Sequence, residues 1–314
     1  MKSVPKLRLF AIFAVIITFS LAGCSNGAGG NGAGGGDNGP DAVIAVSCGG
    51  GVTMTMNRIN AGSFHMGDPS GGDMSSAQPQ QSVTLTKEFY MGIHQVTQEQ
   101  WTAVMTGSDN NLDPSEFTSG AAGGEVQVKR PVENITWFDA IEFCNRLSDR
   151  AGLESVYTIT GITRNTDGQI TAATVTAEWS KNGFRLPTEA EWEYACRAGT
   201  TTEWSFGNTD ATLGNYAWYD DNSDDKTHQV GKKTANSWGL FDMHGNVWEW
   251  CWDLYSAYDN PPVSKTDPRG PASGIGRVMR GASWNDPAED TRSAHRHNIG
   301  PVFCNYDLGF RVVR

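Results

Sequence analysis

Apolar residues are spread unevenly along the chain, and their spacing divides it into three stretches. A continuous apolar run from Leu9 to Phe19 follows Lys2, Lys6 and Arg8. It is too short to span a bilayer, which takes about twenty apolar residues, and it has the length and flanks of a signal-peptide core. Residues 25–40 are nearly all Gly, Asn and Ala, a composition that cannot bury enough surface to fold and predicts a flexible tether. Beyond Asp41 apolar and polar positions interleave, and three windows predict short helices. Thr97-Gln98-Glu99-Gln100 is a capping box ahead of Trp101, Val104 and Met105. Thr136 opens a second helix carrying Phe138, Ile141 and Leu147, with Gly152 as its stop. Thr188-Glu189-Ala190-Glu191, just after Pro187, opens a third with Trp192, Ala195 and Cys196 inward and Gly199 at its end. Strand-like runs occur at 83–85, 171–176 and 277–280, and Asp167-Gly168 predicts a hairpin turn. Few helices in so much loop predict an irregular, loop-rich α+β domain, with eleven tryptophans to build its core.

Composition narrows the function. The net charge is −11 and no basic stripe exists to neutralise phosphates, which argues against a nucleic-acid partner. Residues 41–314 could form one large domain or two smaller ones by length alone. Leu21-Ala22-Gly23-Cys24 resembles the lipobox of bacterial lipoproteins. The resemblance implies a signal peptide over 1–23, diacylglycerol on the Cys24 thiol, and a lipidated tether over 24–40. Ser25, where inner-membrane retention uses Asp, implies export to the outer membrane and the cell surface. Cys48, Cys144, Cys196, Cys251 and Cys304 then remain, an odd set without CxxC or zinc spacing.

Six blocks carry a more specific resemblance: 61–67 (AGSFHMG), 131–137 (PVENITW), 183–195 (GFRLPTEAEWEYA), 239–250 (GLFDMHGNVWEW), 280–284 (RGASW) and 308–311 (LGFR). In this order they resemble the formylglycine-generating enzyme, or sulfatase-modifying factor, family. The resemblance implies a C-type-lectin-like fold and one domain over 41–314. The enzyme holds copper on a cysteine pair between its last two blocks, a soft-ligand site. Here 284–303 contains no cysteine, and Asp286 falls near the first expected position. The expectation is therefore no copper and no catalysis. His295 and His297 bring to mind the iron oxygenases related to this family, but those draw ligands from an extra helical domain absent from this sequence. The resemblance also implies a structural Ca²⁺ site, with the side chains of Asp242 and Glu249 and the carbonyls of Gly245 and Val247 as oxygen ligands.

The segment around 282–307 resembles the variable region of proteins diversified by retroelements, in which template adenines are randomised, often within Asn codons. Asp, Pro, His, Ile, Gly, Phe, Tyr and Asn are all reachable from such a codon by changing adenines. They occupy positions 286, 287, 295, 297–300, 303 and 305–307, between framework residues Arg292, Ser293, Ala294 and Arg296. The expected ligand-binding set is Asn285, Asp286, Pro287, Glu289, Asp290, His295, His297, Asn298, Ile299, Phe303, Asn305 and Tyr306. His295, His297, Phe303 and Tyr306 serve as anchors, and Asp286, Glu289 and Asp290 set charge selectivity. The expected protein is a monomeric, lipid-anchored receptor for an unidentified protein or surface ligand of a host or neighbouring cell. The alternatives are an oxidase of the formylglycine-generating or iron kind, and a structural envelope lipoprotein.

Overall fold

The three predicted helices form where threonine caps them. In this computed structural model, which describes residues 43–70 and 77–314, α1 (Gln98–Met105), α2 (Trp137–Arg150) and α3 (Glu189–Arg197) begin at Thr97, Thr136 and Thr188. Each threonine accepts from the N3 backbone, and Gln100, Asp139 or Glu191 reaches back, a reciprocal capping box in every case. α2 gives way at Gly152, and α3 at Ala198 and Gly199, where positive φ turns the chain away. The signal-like run, Cys24 and the tether lie outside the described residues.

Twelve strands surround these helices among the described residues. β1 (Val43–Gly49) pairs antiparallel with β2 (Val52–Ile59), which pairs with β5 (Phe89–Gly92). β3 (Gly62–Met66) and β4 (Gln81–Leu85) form a second ladder edged by β9 (Lys265–Thr266). β6 (Tyr157–Arg164) and β7 (Ile170–Ala177) make the hairpin predicted at Asp167-Gly168. The fourth sheet has the order β11 (Arg296–Ile299), β10 (Arg277–Arg280), β8 (Trp248–Leu254), β12 (Leu308–Gly309). β12 runs parallel to β8, and the chain after it continues beside β5, where Gly92 N donates to Val312 O. The architecture is α+β, sheet-rich with few helices, and the described residues belong to one compact unit, Asn38–Arg314.

Aromatic rings and enclosed ion pairs share the interior. Trp101, Trp137, Trp192, Trp250, Phe143, Phe184 and Phe310 are fully buried, and Trp101 stacks on Phe143 at 5.7 Å. The buried acids Glu133, Asp139 and Asp253 are held by hydrogen bonds, and buried ion pairs join Glu193 with Arg197 and Arg280, Glu189 with Arg296, and Glu249 with Arg311. A buried charge without such a partner is strongly destabilising. All five described cysteines are free thiols, and four of them are buried.

Candidate ligand-binding face

The C-terminal segment is held by its backbone and by its framework side chains. β11 lies antiparallel to β10, with Arg280 opposite Arg296 and Met279 opposite His297. Successive side chains on a strand point to opposite faces. Arg296 therefore turns inward, giving Nε and Nη2 to the Glu189 carboxylate at 2.6 Å each, while His297 stands in solvent. In the preceding loop Ser293 N donates to Glu203 O at 2.8 Å, and Thr291 O accepts from the His244 ring at 2.9 Å. Trp204 Nε1 donates to Thr291 Oγ1 at 2.8 Å, and Arg292 pairs with Glu203 at 2.9 Å. After β11, the carbonyls of Pro301, Asn305 and Asp307 accept from the backbone N–H groups of Trp137, Asn134 and Trp248. None of these last bonds uses a side chain of the segment, so side chains there can change without loss of the anchors.

Burial follows the same division. Trp284, Thr291, Ser293, Ala294 and Arg296 are buried. Of the twelve predicted binding residues, Asn285, Glu289, His297, Phe303 and Tyr306 are exposed, and the other seven are half-buried. Phe303 is 58% and Tyr306 44% exposed, unusual for large rings and available to a partner. Tyr306 stands on a fixed aromatic support, 5.7 Å from Trp284 and 6.4 Å from Phe117, and Phe117 meets Trp284 edge-on at 5.4 Å. Trp248 lies 5.7 Å from the His295 ring and 6.2 Å from that of His297.

Three predicted positions have a different role from the one expected. Asp286 is not a free charge: its Oδ2 accepts from Ser283 N and Oγ, and its carbonyl accepts from Asp220 N. His295 is not a free anchor, because its Nδ1 bonds Asp290 O at 2.8 Å and its Nε2 lies 3.4 Å from Asp290 Oδ1. Burial lowers the pKa of His295 and raises that of Asp290. Asn298 has the parity of Arg296 and faces the other side of the strand, where its Oδ1 would lie 2.3 Å from any Cβ added at Gly276. Of the four expected anchors, His297, Phe303 and Tyr306 are exposed.

Several contributors carried no local sequence signal. Phe117 sits in an irregular loop that Glu133 fixes from beneath, accepting from Glu116 N and Phe117 N at 3.0 and 3.2 Å. Burial pushes the Glu133 carboxyl up to about 7. Asp220 joins the acidic edge beside Asp286 and Glu289; burial, then neighbouring Asp221, raises its pKa. Asp307 is pushed up to about 6 by burial and by Asp286.

Residues 50–314 match the sulfatase-modifying factor enzyme 1-like domain. The chain belongs to that family. Among solved structures it is similar to Treponema denticola variable protein 1, at 42% identity and a TM-score of 0.77 over 86% of this chain and 98% of that one. The chaperone protein LppX of Paenibacillus barcinonensis is 33% identical over 260 residues, 76% of this chain and 84% of LppX. The formylglycine-generating enzyme of Streptomyces coelicolor is 27% identical over 278 residues, covering 81% and 87%.

In this sulfatase-modifying factor domain, the oxygens of the 242–249 loop, expected from the sequence to hold calcium, surround a side chain. Positive φ at Asp242 (56°), Gly245 (155°) and Asn246 (70°) curls the loop so that its carbonyls point inward. A Cβ at Gly245 would come within 2.2 Å of Trp218 O, so only glycine fits. The carbonyls of Asp242, Gly245 and Val247 and Oε1 of Glu249 lie 3.2, 3.1, 2.9 and 3.1 Å from Gln95 Nε2. The Asp242 carboxylate, expected as a ligand, turns away to accept from Gly231 N at 2.8 Å. Glu249 is taken by Arg311 at 2.7 and 2.8 Å and by Trp192 Nε1 at 2.7 Å. The four predicted residues are brought together, yet as placed they do not fit a calcium ion, because Gln95 fills the centre. The cysteine nearest the face, Cys304, is half-buried and follows Phe303 in the exposed loop.

Proposed function

We propose that this chain is a lipid-anchored surface receptor whose C-terminal face is diversified by a retroelement to bind varied ligands, without catalysis. One observation carries the reading. The side chains of Asn285, Glu289, His297, Phe303 and Tyr306 are exposed, while the segment that bears them is fixed by buried framework residues and backbone hydrogen bonds. A rigid frame with replaceable side chains is how a paratope works: aromatic anchors supply most of the affinity, and little ordering entropy is lost on binding. Similarity to a variable protein supports it. The absence of cysteine from residues 284–303 speaks against copper-dependent oxidation, whose metal needs thiolates there. The Leu21–Cys24 motif supplies the anchor, and the glycine-rich stretch lets the domain stand off the membrane. The partner is an unidentified protein or surface ligand of a host or neighbouring cell, bound by the monomer.

A display experiment tests this. The five exposed positions are randomised in the full chain on a bacterial surface and panned against an immobilised test protein. Binders should emerge whose melting temperatures stay close to that of the parent. A library in which most members unfold, or which yields no binder while an antibody library of equal size does, would sink the proposal.

A further inference from the structure

We infer that the oxygen cage of the 242–249 loop is closed by the Gln95 amide in place of a cation, so that the domain folds and binds independently of calcium. Three carbonyls and one carboxylate oxygen converge on a single point, the donor set that a hard divalent ion takes. That point is the Gln95 nitrogen. The four distances, 2.9–3.2 Å, are hydrogen-bond lengths rather than the roughly 2.3–2.6 Å of calcium–oxygen bonds. The orientation of the amide is fixed by chemistry. Reversing it would set Oε1 against four acceptors with no proton between them. The orientation leaves Oε1 buried without a hydrogen-bond partner, a cost accepted to keep the N–H groups in the cage.

Charge leads to the same conclusion. Glu249 is completely buried and is neutralised by two bonds from Arg311, so the cage needs no further positive charge. Asp242, the remaining acid of the expected ligand set, keeps its carboxylate on Gly231 N. A calcium ion would have to evict a glutamine that is 0% exposed and compete with a guanidinium for the same carboxylate. The amide thus ties the segment entering α1 to the start of β8, the strand whose Trp248 supports the binding face.

Two measurements test the inference. The purified full-length protein in detergent is melted in millimolar calcium and in EGTA, and crystals are grown at the same calcium concentration. The melting curves should superimpose, and electron density in the cage should be that of the Gln95 amide. A calcium peak bonded to the Asp242, Gly245 and Val247 carbonyls, with Gln95 displaced, overturns the inference. In the second, Gln95→Glu sets a carboxylate against Glu249 and three carbonyls with no donor between them. At neutral pH this variant should melt well below the wild type in EGTA and recover in calcium. If it melts like the wild type in both buffers, the amide donors are not what closes the cage and the inference fails. The wild-type measurement needs no variant, so the test stands even if Gln95→Glu misfolds.

Discussion

Arg296 and His297 are neighbours on β11, and replacing each with alanine should have opposite consequences. The Arg296 guanidinium makes two bonds of 2.6 Å to Glu189 and one of 2.8 Å to Ser256 O. It also lies 4.5 and 4.3 Å from the ring centroids of Tyr255 and Tyr258. Arg296→Ala leaves Glu189, 4% exposed, with Arg280 Nε at 3.4 Å as its remaining ion-pair contact. Breaking one side of a buried pair costs about 3–5 kcal/mol. A domain of this size loses about 2–4 °C per kcal/mol, so the melting temperature should fall by roughly 6–20 °C. His297→Ala removes an exposed ring with no hydrogen bond to lose, and such changes stay within about 0.5 kcal/mol. Calorimetry or a circular-dichroism melt on both variants reads the difference directly. Equal losses, or a larger loss at His297, would refute the division of the segment into fixed frame and replaceable face.

Three further outcomes follow from the same structure. Burial beside Glu189 pushes the Asp253 carboxyl up from 3.8 to about 8. Its folded form therefore holds a proton that the unfolded chain releases, and its stabilising contribution is complete below about pH 4 and lost as pH rises through 8. Asp253→Asn should flatten the decline in melting temperature across that window; a wild-type-to-variant gap that stays constant from acid to base would contradict the assignment. Cys24→Ser should move the protein from the detergent-extracted membrane to soluble fractions and abolish palmitate labelling, and a variant that stays in the membrane would argue against Cys24 as the anchor. Incubated with copper and a cysteine-containing sulfatase peptide, the protein should yield no formylglycine by mass spectrometry, whereas aldehyde formed at catalytic turnover would restore the enzyme reading.

What was legible in the sequence was local. Thr97, Thr136 and Thr188 announce their helices because a capping box closes within four residues, and Asp167-Gly168 marks its hairpin for the same reason. β8 gave no strand signal: it is covered on both faces, so alternation is lost, and it carries Glu249 and Asp253 into the interior against the usual polarity rule. The alternation of buried and exposed positions along 284–306 was readable because the two kinds of residue interleave over a short segment. Phe117 was not, since it reaches Trp284 and Tyr306 from a distant loop. Gln95 was illegible for the same physical reason. Its partners are 147–154 residues away and three of the four are backbone carbonyls, which no side-chain pattern records.

The proposed diversification of the gene falls where the protein can bear it. Deep sequencing of the gene from a population expressing a diversity-generating reverse transcriptase measures this directly. Substitutions should concentrate at the codons for the twelve candidate binding residues between Asn285 and Tyr306, arising at template adenines, with the codons for Trp284, Arg292, Ser293, Ala294 and Arg296 unchanged. Substitutions scattered evenly over residues 41–314, or falling as often on Arg296 as on His297, would contradict it.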